Sequence, residues 1–247
     1  MDILQKDGNV LICGDSTDPQ VWASIKEATG KDRFPLIYTD PPYGNIVKEV
    51  WDKATANDYM KWAKICQDHI VSGGSVFMWG GIGKYKDRPF LSFISSVENE
   101  TEFRLKNLIT WKKKRAYGKK DDYLFTREEL AWLILGEKPN IFNIPLLDKI
   151  RGYDGYNAKY KAKSPFLRRT NVWDDITEIF KGKDHPTAKP SKLAEIVCLT
   201  HSNPGDYVVD IFSGGGSTGK AALDTGRKFV LVEKNTDYFD IAAKKLF

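Results

Sequence analysis

An α/β chain, with a sheet covered by helices on both faces, is what this sequence predicts, and three observations carry the prediction. Short apolar runs recur along the chain with helix-like stretches between them. The runs are nearly continuous in Val, Ile, Leu and aromatic residues, the pattern of strands buried on both sides rather than on one. Turn and cap residues separate the runs from the helical stretches, so strands and helices alternate in the manner of a doubly wound sheet.

In chain order, Val10-Leu11-Ile12-Cys13 reads as the first strand and Pro19 to Ala28 as the first helix. Leu36-Ile37-Tyr38-Thr39 is a second strand. A helix over Asn57 to Val71 follows, with Asn57 as its N-cap and Gly73-Gly74 after its end. Ser75-Val76-Phe77-Met78-Trp79 is a third strand and Phe90 to Glu98 a third helix. Leu108-Ile109-Thr110-Trp111 and Leu130-Ala131-Trp132-Leu133-Ile134-Leu135 are two further strands. Ser191 to His201 is helical and stops at Asn203-Pro204-Gly205. Tyr207-Val208-Val209-Asp210-Ile211, a helix over Thr218 to Thr225, Phe229-Val230-Leu231-Val232 and a helix over Tyr238 to Leu246 complete the chain. The interval Asn140 to Lys183 lacks periodicity and is rich in Lys, Arg, Tyr and Gly; it reads as an irregular insertion at the sheet edge.

The 247 residues suffice for one sizeable core. No apolar stretch approaches the roughly 20 residues of a membrane helix, and the first residues lack the pattern of a secretory signal. Cys13, Cys66 and Cys198 are widely spaced and odd in number, which fits a reducing cytoplasm and argues against a disulfide framework or a zinc site. The net charge is +5, unevenly spread: residues 112–170 hold 15 Lys/Arg against 7 Asp/Glu, leaving the remainder at −3. A basic segment on a slightly acidic body suits a local polyanion contact, although a solvated lysine-rich loop has the same composition.

Asp40-Pro41-Pro42-Tyr43 follows the second strand, where an open α/β sheet places its ligands. A carboxylate, two rigid prolines and an aromatic ring there suit a planar ring held by its exocyclic amine. Residues 208–219 supply a second motif: Gly214, Gly216 and Gly219 match GxGxxG between a strand and a helix, and Glu233 stands 19 residues beyond Gly214. An acid at that distance can accept hydrogen bonds from ribose hydroxyls. By itself the pair is compatible with NAD, FAD or S-adenosylmethionine, or with a tight turn and no ligand. Position narrows this. Only 14 residues follow Glu233, so the sheet must be completed by strands earlier in the chain. The element order is therefore circularly permuted, which sets Asp40-Pro41-Pro42-Tyr43 beside the glycine loop.

This combination resembles the β-class of DNA amino-methyltransferases, in which the catalytic motif precedes the cofactor motif. Cys13-Gly14-Asp15 is similar to the family's N-terminal element, and Asp40-Pro41-Pro42-Tyr43-Gly44-Asn45 to its catalytic motif. Gly73-Gly74-Ser75-Val76-Phe77, Trp111-Lys112-Lys113 with Glu128-Glu129-Leu130-Ala131-Trp132, His185-Pro186-Thr187-Ala188-Lys189-Pro190, Asn203-Pro204-Gly205-Asp206 and Gly226-Arg227-Lys228-Phe229 continue the likeness in order. One departure stands out. The family writes its cofactor loop Asp-Pro-Phe-x-Gly-Ser-Gly-Thr, whereas this chain has Ile211 for the proline and Gly215 for the serine.

The resemblance implies a permuted Rossmann-like methyltransferase sheet. Residues 1–139 would form its catalytic part, 140–183 a target-recognition insertion and 184–247 the S-adenosylmethionine-binding part. It implies that Asp40, Pro41, Pro42 and Tyr43 activate a flipped-out base. Asp40 and the Pro41 carbonyl would accept the amine hydrogens while Tyr43 stacks on the ring. Cofactor contacts are implied for Asp15, Asp40, Thr187, Lys189, Asp210, Phe212, Ser213, Gly214, Gly216, Thr218 and Glu233, with Glu233 on the ribose and Thr187 and Lys189 on the carboxylate. Double-stranded DNA would meet Lys112, Lys113, Lys114, Arg115, Tyr117, Arg151, Arg168 and Arg169, aided by Tyr153, Tyr156 and Tyr160. His185 is either a ligand contact or a packed turn residue; His69 and His201 belong to helix ends. Aspartate in the first catalytic position favours adenine N6 over cytosine N4. Glutamine methylation in a release factor would need the cofactor loop first and Asn at position 40. A silent DNA-binding derivative of the fold would not need the intact motif. The class commonly dimerises and resides in the bacterial cytoplasm, where the source is the cell or a phage. A restriction partner and the recognised site are not specified by these residues.

Overall fold

A computed structural model describes residues 1–43, 54–82, 88–118, 120–150, 164–177 and 189–247. In chain order the elements are β1 (Asp2–Lys6), β2 (Asn9–Cys13), α1 (Pro19–Thr29), β3 (Phe34–Thr39), α2 (Ala56–His69), β4 (Ile70–Gly80), α3 (Pro89–Glu100), β5 (Phe103–Tyr117), β6 (Phe125–Leu135), β7 (Leu146–Ile150), β8 (Phe166–Arg168), β9 (Val172–Trp173), α4 (Ser191–His201), β10 (Tyr207–Asp210), α5 (Ser217–Asp224), β11 (Lys228–Glu233) and α6 (Thr236–Leu246). The main sheet runs β1-β2-β11-β10-β3-β4-β6-β5-β9. Its centre, from β2 to β4, is parallel; β1 and β6 run antiparallel to their neighbours.

Both faces of the sheet are covered, which is why the strands read as continuous apolar runs. Ile37, Val76, Val209 and Val230 point to the side packed by α1, α2 and α3. Leu36, Phe77, Val208 and Leu231 point to the side packed by α4, α5 and α6. Neighbouring β3 and β10 come from opposite ends of the chain, and the helices that follow them, α2 and α5, pack on opposite faces. A sheet whose crossovers part in this way opens a crevice at the carboxyl ends of the two strands. The permuted order expected from the sequence is the order observed.

Four features differ from the expectations. The hairpin strand β1 was not foreseen, because it is a largely exposed edge strand with no apolar run. Its turn, Asp7 (φ 52°) and Gly8 (φ 80°), is the left-handed two-residue type that matches strand twist. Helix α2 is capped by Thr55, not Asn57: Thr55 Oγ1 accepts from the Asp58 N–H, and the Asp58 carboxylate accepts from the Thr55 N–H. Gly73-Gly74 follows the helix as expected but lies inside β4, which begins at Ile70 rather than Ser75. A Cβ at Gly73 would meet the Asn140 amide at 2.2 Å, so glycine there admits a crossing side chain. Lastly, the interval after Asn140 is not wholly irregular. Strands β7 and β8 pair antiparallel, and β9 extends the main sheet beside β5. Trp111 Nε1 donates to the Ile176 carbonyl at 2.9 Å, tying that return segment to the sheet.

Candidate active site

The crevice is built from two strand ends that hydrogen bonding locks together. Thr39, the last residue of β3, donates from Oγ1 to Asp210 Oδ1 at 3.0 Å, and Asp210 is the last residue of β10. The Phe212 N–H donates to the same oxygen, and Thr218 Oγ1 donates to Asp210 Oδ2 at 2.5 Å. Asp210 is only 2% exposed, and burial pushes its carboxyl up to about 7 against the hydrogen bonds that favour its charge. Asp210 and Thr218 were expected to touch the cofactor. They are turned inward on each other and on Thr39, where they fix the glycine turn to the end of β3.

The turn itself presents backbone. Gly214 (φ 48°) and Gly216 (φ 76°) are left-handed, and a Cβ at Gly216 would press on Leu246 and Ala242 at 2.9 and 3.1 Å. Glu233 closes the far side of the turn: its Oε2 accepts from the Gly214 N–H at 2.7 Å and its Oε1 from the Asn235 N–H at 2.8 Å. Burial raises the Glu233 carboxyl despite those bonds. Asp15 stands on the adjoining strand end, since the Gly14 N–H donates to the Glu233 carbonyl at 2.9 Å. Its carboxylate accepts from the Thr17 N–H and pairs with Lys234 at 2.9 Å. Phe212 packs edge-on against Trp62, ring centres 4.8 Å apart. Ser213 is 4% exposed, and its buried hydroxyl has no hydrogen-bond partner among the described residues.

Across the crevice the Asp40-Pro41-Pro42-Tyr43 turn is folded around a cation. Lys189 Nζ donates to Asp40 Oδ2 at 2.5 Å, to the Tyr43 hydroxyl at 2.7 Å, and pairs with Glu128 Oε2 at 3.1 Å. The Tyr43 hydroxyl in turn lies 2.9 Å from Asp40 Oδ1 and 3.1 Å from Glu128 Oε2. Lys189 also sits 4.9 Å from the ring centres of both Tyr43 and Trp79. Burial works against the ammonium, but Asp40 and Glu128 outweigh it and raise the Lys189 pKa. Burial would likewise raise Glu128; Lys189 and Lys113 reverse the sign and hold its carboxyl at about 2.

Two expectations stand beside this geometry. Lys189 was assigned to a cofactor carboxylate; in the structure it pairs with Asp40 and Glu128, two anions within its buried reach. Tyr43 was expected to present a ring for stacking. It is 7% exposed, with its hydroxyl bound in the cluster and Lys189 over its face. Glu128, by contrast, was missed as a site residue. A signal existed in the sequence: two adjacent acids immediately precede the apolar run Leu130 to Leu135, and a buried carboxylate demands a partner.

The basic residues divide into two groups. Lys113 is drawn inward by an ion pair with Glu128, and Arg169 is held in a two-pronged pair with Asp175 at 2.7 Å for each bond. Lys114 Nζ donates to the Asp174 carbonyl at 3.2 Å. Lys112, Arg115 and Arg168 are exposed. Register places Gly80, the last residue of β4, opposite Glu129, so β6 and β5 run on past the carboxyl edge of the sheet toward Phe125 and Tyr117. The basic hairpin therefore rises beside the crevice. Of Tyr117 only the backbone is described. Gly44, Asn45, Arg151, Tyr153, Tyr156, Tyr160, His185 and Thr187 lie outside the described residues.

The glycine-turn side fits an adenosyl ligand on its own chemistry. A turn without side chains at three successive positions, an acid at the neighbouring strand end and an orphaned buried hydroxyl at Ser213 together provide backbone donors, a ribose acceptor and an unused polar group.

Comparison with known proteins gives a consistent result. A family described as DNA methylase, covering N6 and N4 enzymes, matches residues 34–244. The Type II methyltransferase M2.DpnII of Streptococcus pneumoniae is 27% identical over 234 residues, spanning 85% of this chain and 81% of its own. The DNA adenine methyltransferase YhdJ of Escherichia coli K12 is 28% identical over 230 residues, spanning 85% of this chain and 75% of its own. Among solved structures, the PvuII cytosine-N4-specific DNA methyltransferase superposes with a TM-score of 0.72 at 19% identity, over 100% of this chain and 90% of that one. The M1.HpyAVI–SAM complex superposes with a TM-score of 0.62 at 24% identity, over 96% and 98%. At these identities the structural likeness concerns the fold.

Proposed function

The chain belongs to the N6/N4 family of DNA methylases, and from that premise we propose that it methylates the N6 amine of an adenine turned out of double-stranded DNA. The observation that carries the reading is the meeting of Asp40 with the glycine turn across neighbouring strand ends, joined by the Thr39–Asp210 hydrogen bond. The cofactor is S-adenosylmethionine, which when bound supplies an electrophilic sulfonium methyl. Glu233 would hold its ribose, Ser213 and the backbone of Phe212, Gly214 and Gly216 its methionine end, and Asp15 its adenine. Thr187 remains part of this proposal.

The chain's own residues then prepare the acceptor. An exocyclic amine is a poor nucleophile because its lone pair delocalises into the ring. Asp40 accepts one amine hydrogen and the Pro41 carbonyl the other, drawing the nitrogen toward tetrahedral geometry. Proline suits this role because its fixed φ stiffens the carbonyl that precedes and follows it. Base entry requires the Tyr43 ring to leave its buried position before it can stack on the base. Positioning of two reactants in this way is worth up to roughly 7–11 kcal/mol in favourable cases. Asp40 need not be a strong base, since the amine acidifies only once methylated. Lys112, Arg115 and Arg168 would contact phosphates, with residues 140–183 as the recognition insertion between the catalytic and cofactor parts. A bacterial cytoplasmic setting and a second copy of the chain belong to the same reading.

Adenine is favoured by the aspartate at position 40 and by the similarity to YhdJ, which is a DNA adenine methyltransferase. The test is transfer of isotopically labelled methyl groups to unmethylated duplex DNA, followed by nucleoside mass spectrometry. N6-methyladenine is expected. N4-methylcytosine as the product would replace the base assignment, and no incorporation into any DNA would refute the reading.

A further inference from the structure

The target amine and Lys189 want the same acceptor. Lys189 Nζ already donates to Asp40 Oδ2 at 2.5 Å, in the place where the amine must donate for the proposed reaction. A carboxylate bound by an ammonium is a weaker acceptor, because the cation withdraws the charge that would activate the amine. The cluster also contains an alternative seat for Lys189. Glu128 Oε2 lies 3.1 Å from the same nitrogen, on a carboxylate that also pairs with Lys113. Two carboxylates and two ammonium groups thus balance in a nearly closed pocket.

Resting on the methyltransferase reading, we propose that Glu128 is a positioning residue which takes Lys189 from Asp40 as the target amine enters, freeing the catalytic carboxylate to receive it. The hand-off requires little motion. The nitrogen is bonded to both acids at the outset, and a flexible four-carbon stem lets it settle on one of them. The Tyr43 hydroxyl, between Asp40 Oδ1 and Glu128 Oε2, can follow by turning its single proton from the first oxygen to the second. Lys113 remains on Glu128 throughout, so its charge and that of Lys189 keep the departing cluster anchored to β5 and β6.

The chemistry explains why a second acid is buried at this edge. Without Glu128, Asp40 would be the only anion paired with Lys189 among the described residues and would hold it permanently. Without Lys189, Asp40 would stand in a half-buried pocket with Glu128 as a like-charged neighbour. The pair lets Asp40 be neutralised before the base arrives and charged when it is needed.

The experiment compares wild type, Glu128→Gln, Lys189→Met and the Glu128→Gln/Lys189→Met double variant in single-turnover methyl transfer across pH. Among the described residues, the ionisable groups facing Asp40 are Tyr43 on its own turn, Tyr38 on β3, Lys189 before α4, Glu128 on β6 with Lys113 behind it on β5, and Asp210 on β10. Glu128→Gln is expected to slow the methyl-transfer rate by about 10- to 100-fold, the cost of a charge-assisted bond left on the wrong partner. Cofactor affinity should stay within about threefold, because Glu128 is on the opposite side from the glycine turn. Removing the competing cation should recover at least about tenfold in the double variant relative to Glu128→Gln. A merely structural Glu128 would give no such recovery. Wild-type transfer that Glu128→Gln retains within threefold, or a double variant no faster than Glu128→Gln, overturns the hand-off alone. Absence of transfer by the wild-type chain overturns the methyltransferase reading and the hand-off with it.

Discussion

Gly215→Ser should strengthen this protein twice over. Gly215 stands where the family writes serine, between two glycines that are left-handed at φ 48° and 76°. Its own φ is not left-handed, and a Cβ there would meet only Ile241 Cγ2, at an ordinary 3.5 Å. The substitution therefore carries no backbone strain and no clash. Replacing glycine at a compatible position removes unfolded-state freedom worth about 0.4–1 kcal/mol. For a chain of this size that raises the melting temperature by roughly 1–4 °C. A serine hydroxyl at the turn adds one acceptor or donor for the methionine end of the cofactor, worth about 0.5–1.5 kcal/mol, or roughly two- to tenfold in affinity. Scanning calorimetry without ligand and titration calorimetry with S-adenosylmethionine read the two effects separately. Gly216→Ser is the contrast: its φ of 76° and contacts of 2.9 Å to Leu246 and 3.1 Å to Ala242 predict a loss of stability. A Gly215→Ser chain that melts lower, or binds the cofactor more weakly, would show that the turn is not arranged as described.

Asp40→Ala should lower the methyl-transfer rate by about 10²–10³-fold or more while cofactor binding stays near wild type; unchanged turnover would remove Asp40 from the chemistry. Glu233→Gln should weaken cofactor binding by roughly 10- to 100-fold, since it removes a charged acceptor shared by the ribose and the Gly214 N–H; wild-type affinity by calorimetry contradicts the assignment. Asp210 is expected to make stability fall with rising pH. Its folded pKa of about 7 exceeds the unfolded value, so the folded state binds the extra proton and loses that advantage between roughly pH 4 and 7. Asp210→Asn should flatten that decline in denaturant titrations, and an unaltered pH profile would argue against a buried, proton-holding Asp210. Lys112→Ala and Arg115→Ala should each reduce the salt slope of DNA binding by about one. Lys113→Ala, which breaks the Glu128 pair, should act on rate more than on that slope.

What the sequence showed and what it hid follow from the range of the interactions concerned. Strands buried on both faces advertise themselves, so β2, β3, β4, β10 and β11 were legible from Val10, Leu36, Val76, Val208 and Phe229 onward. Helix α4 was legible to its end residues because Pro190 and Asn203-Pro204-Gly205 bracket it. Strand β1 is held by pairing with β2 and leaves no hydrophobic trace. The two motifs were legible as motifs, and the pairing of β3 with β10 brings them together. The aim of individual side chains was not. Asp210 looks like a ligand residue until Thr39, 171 positions away, is seen to bond it. Lys189 and Asp40 are 149 positions apart, and Lys189 turns to Asp40 because β6 delivers Glu128 there as well. Local spacing reports which residues share a strand end. Which anion a buried cation chooses depends on every charge the sheet order assembles, and that order is a property of the whole chain.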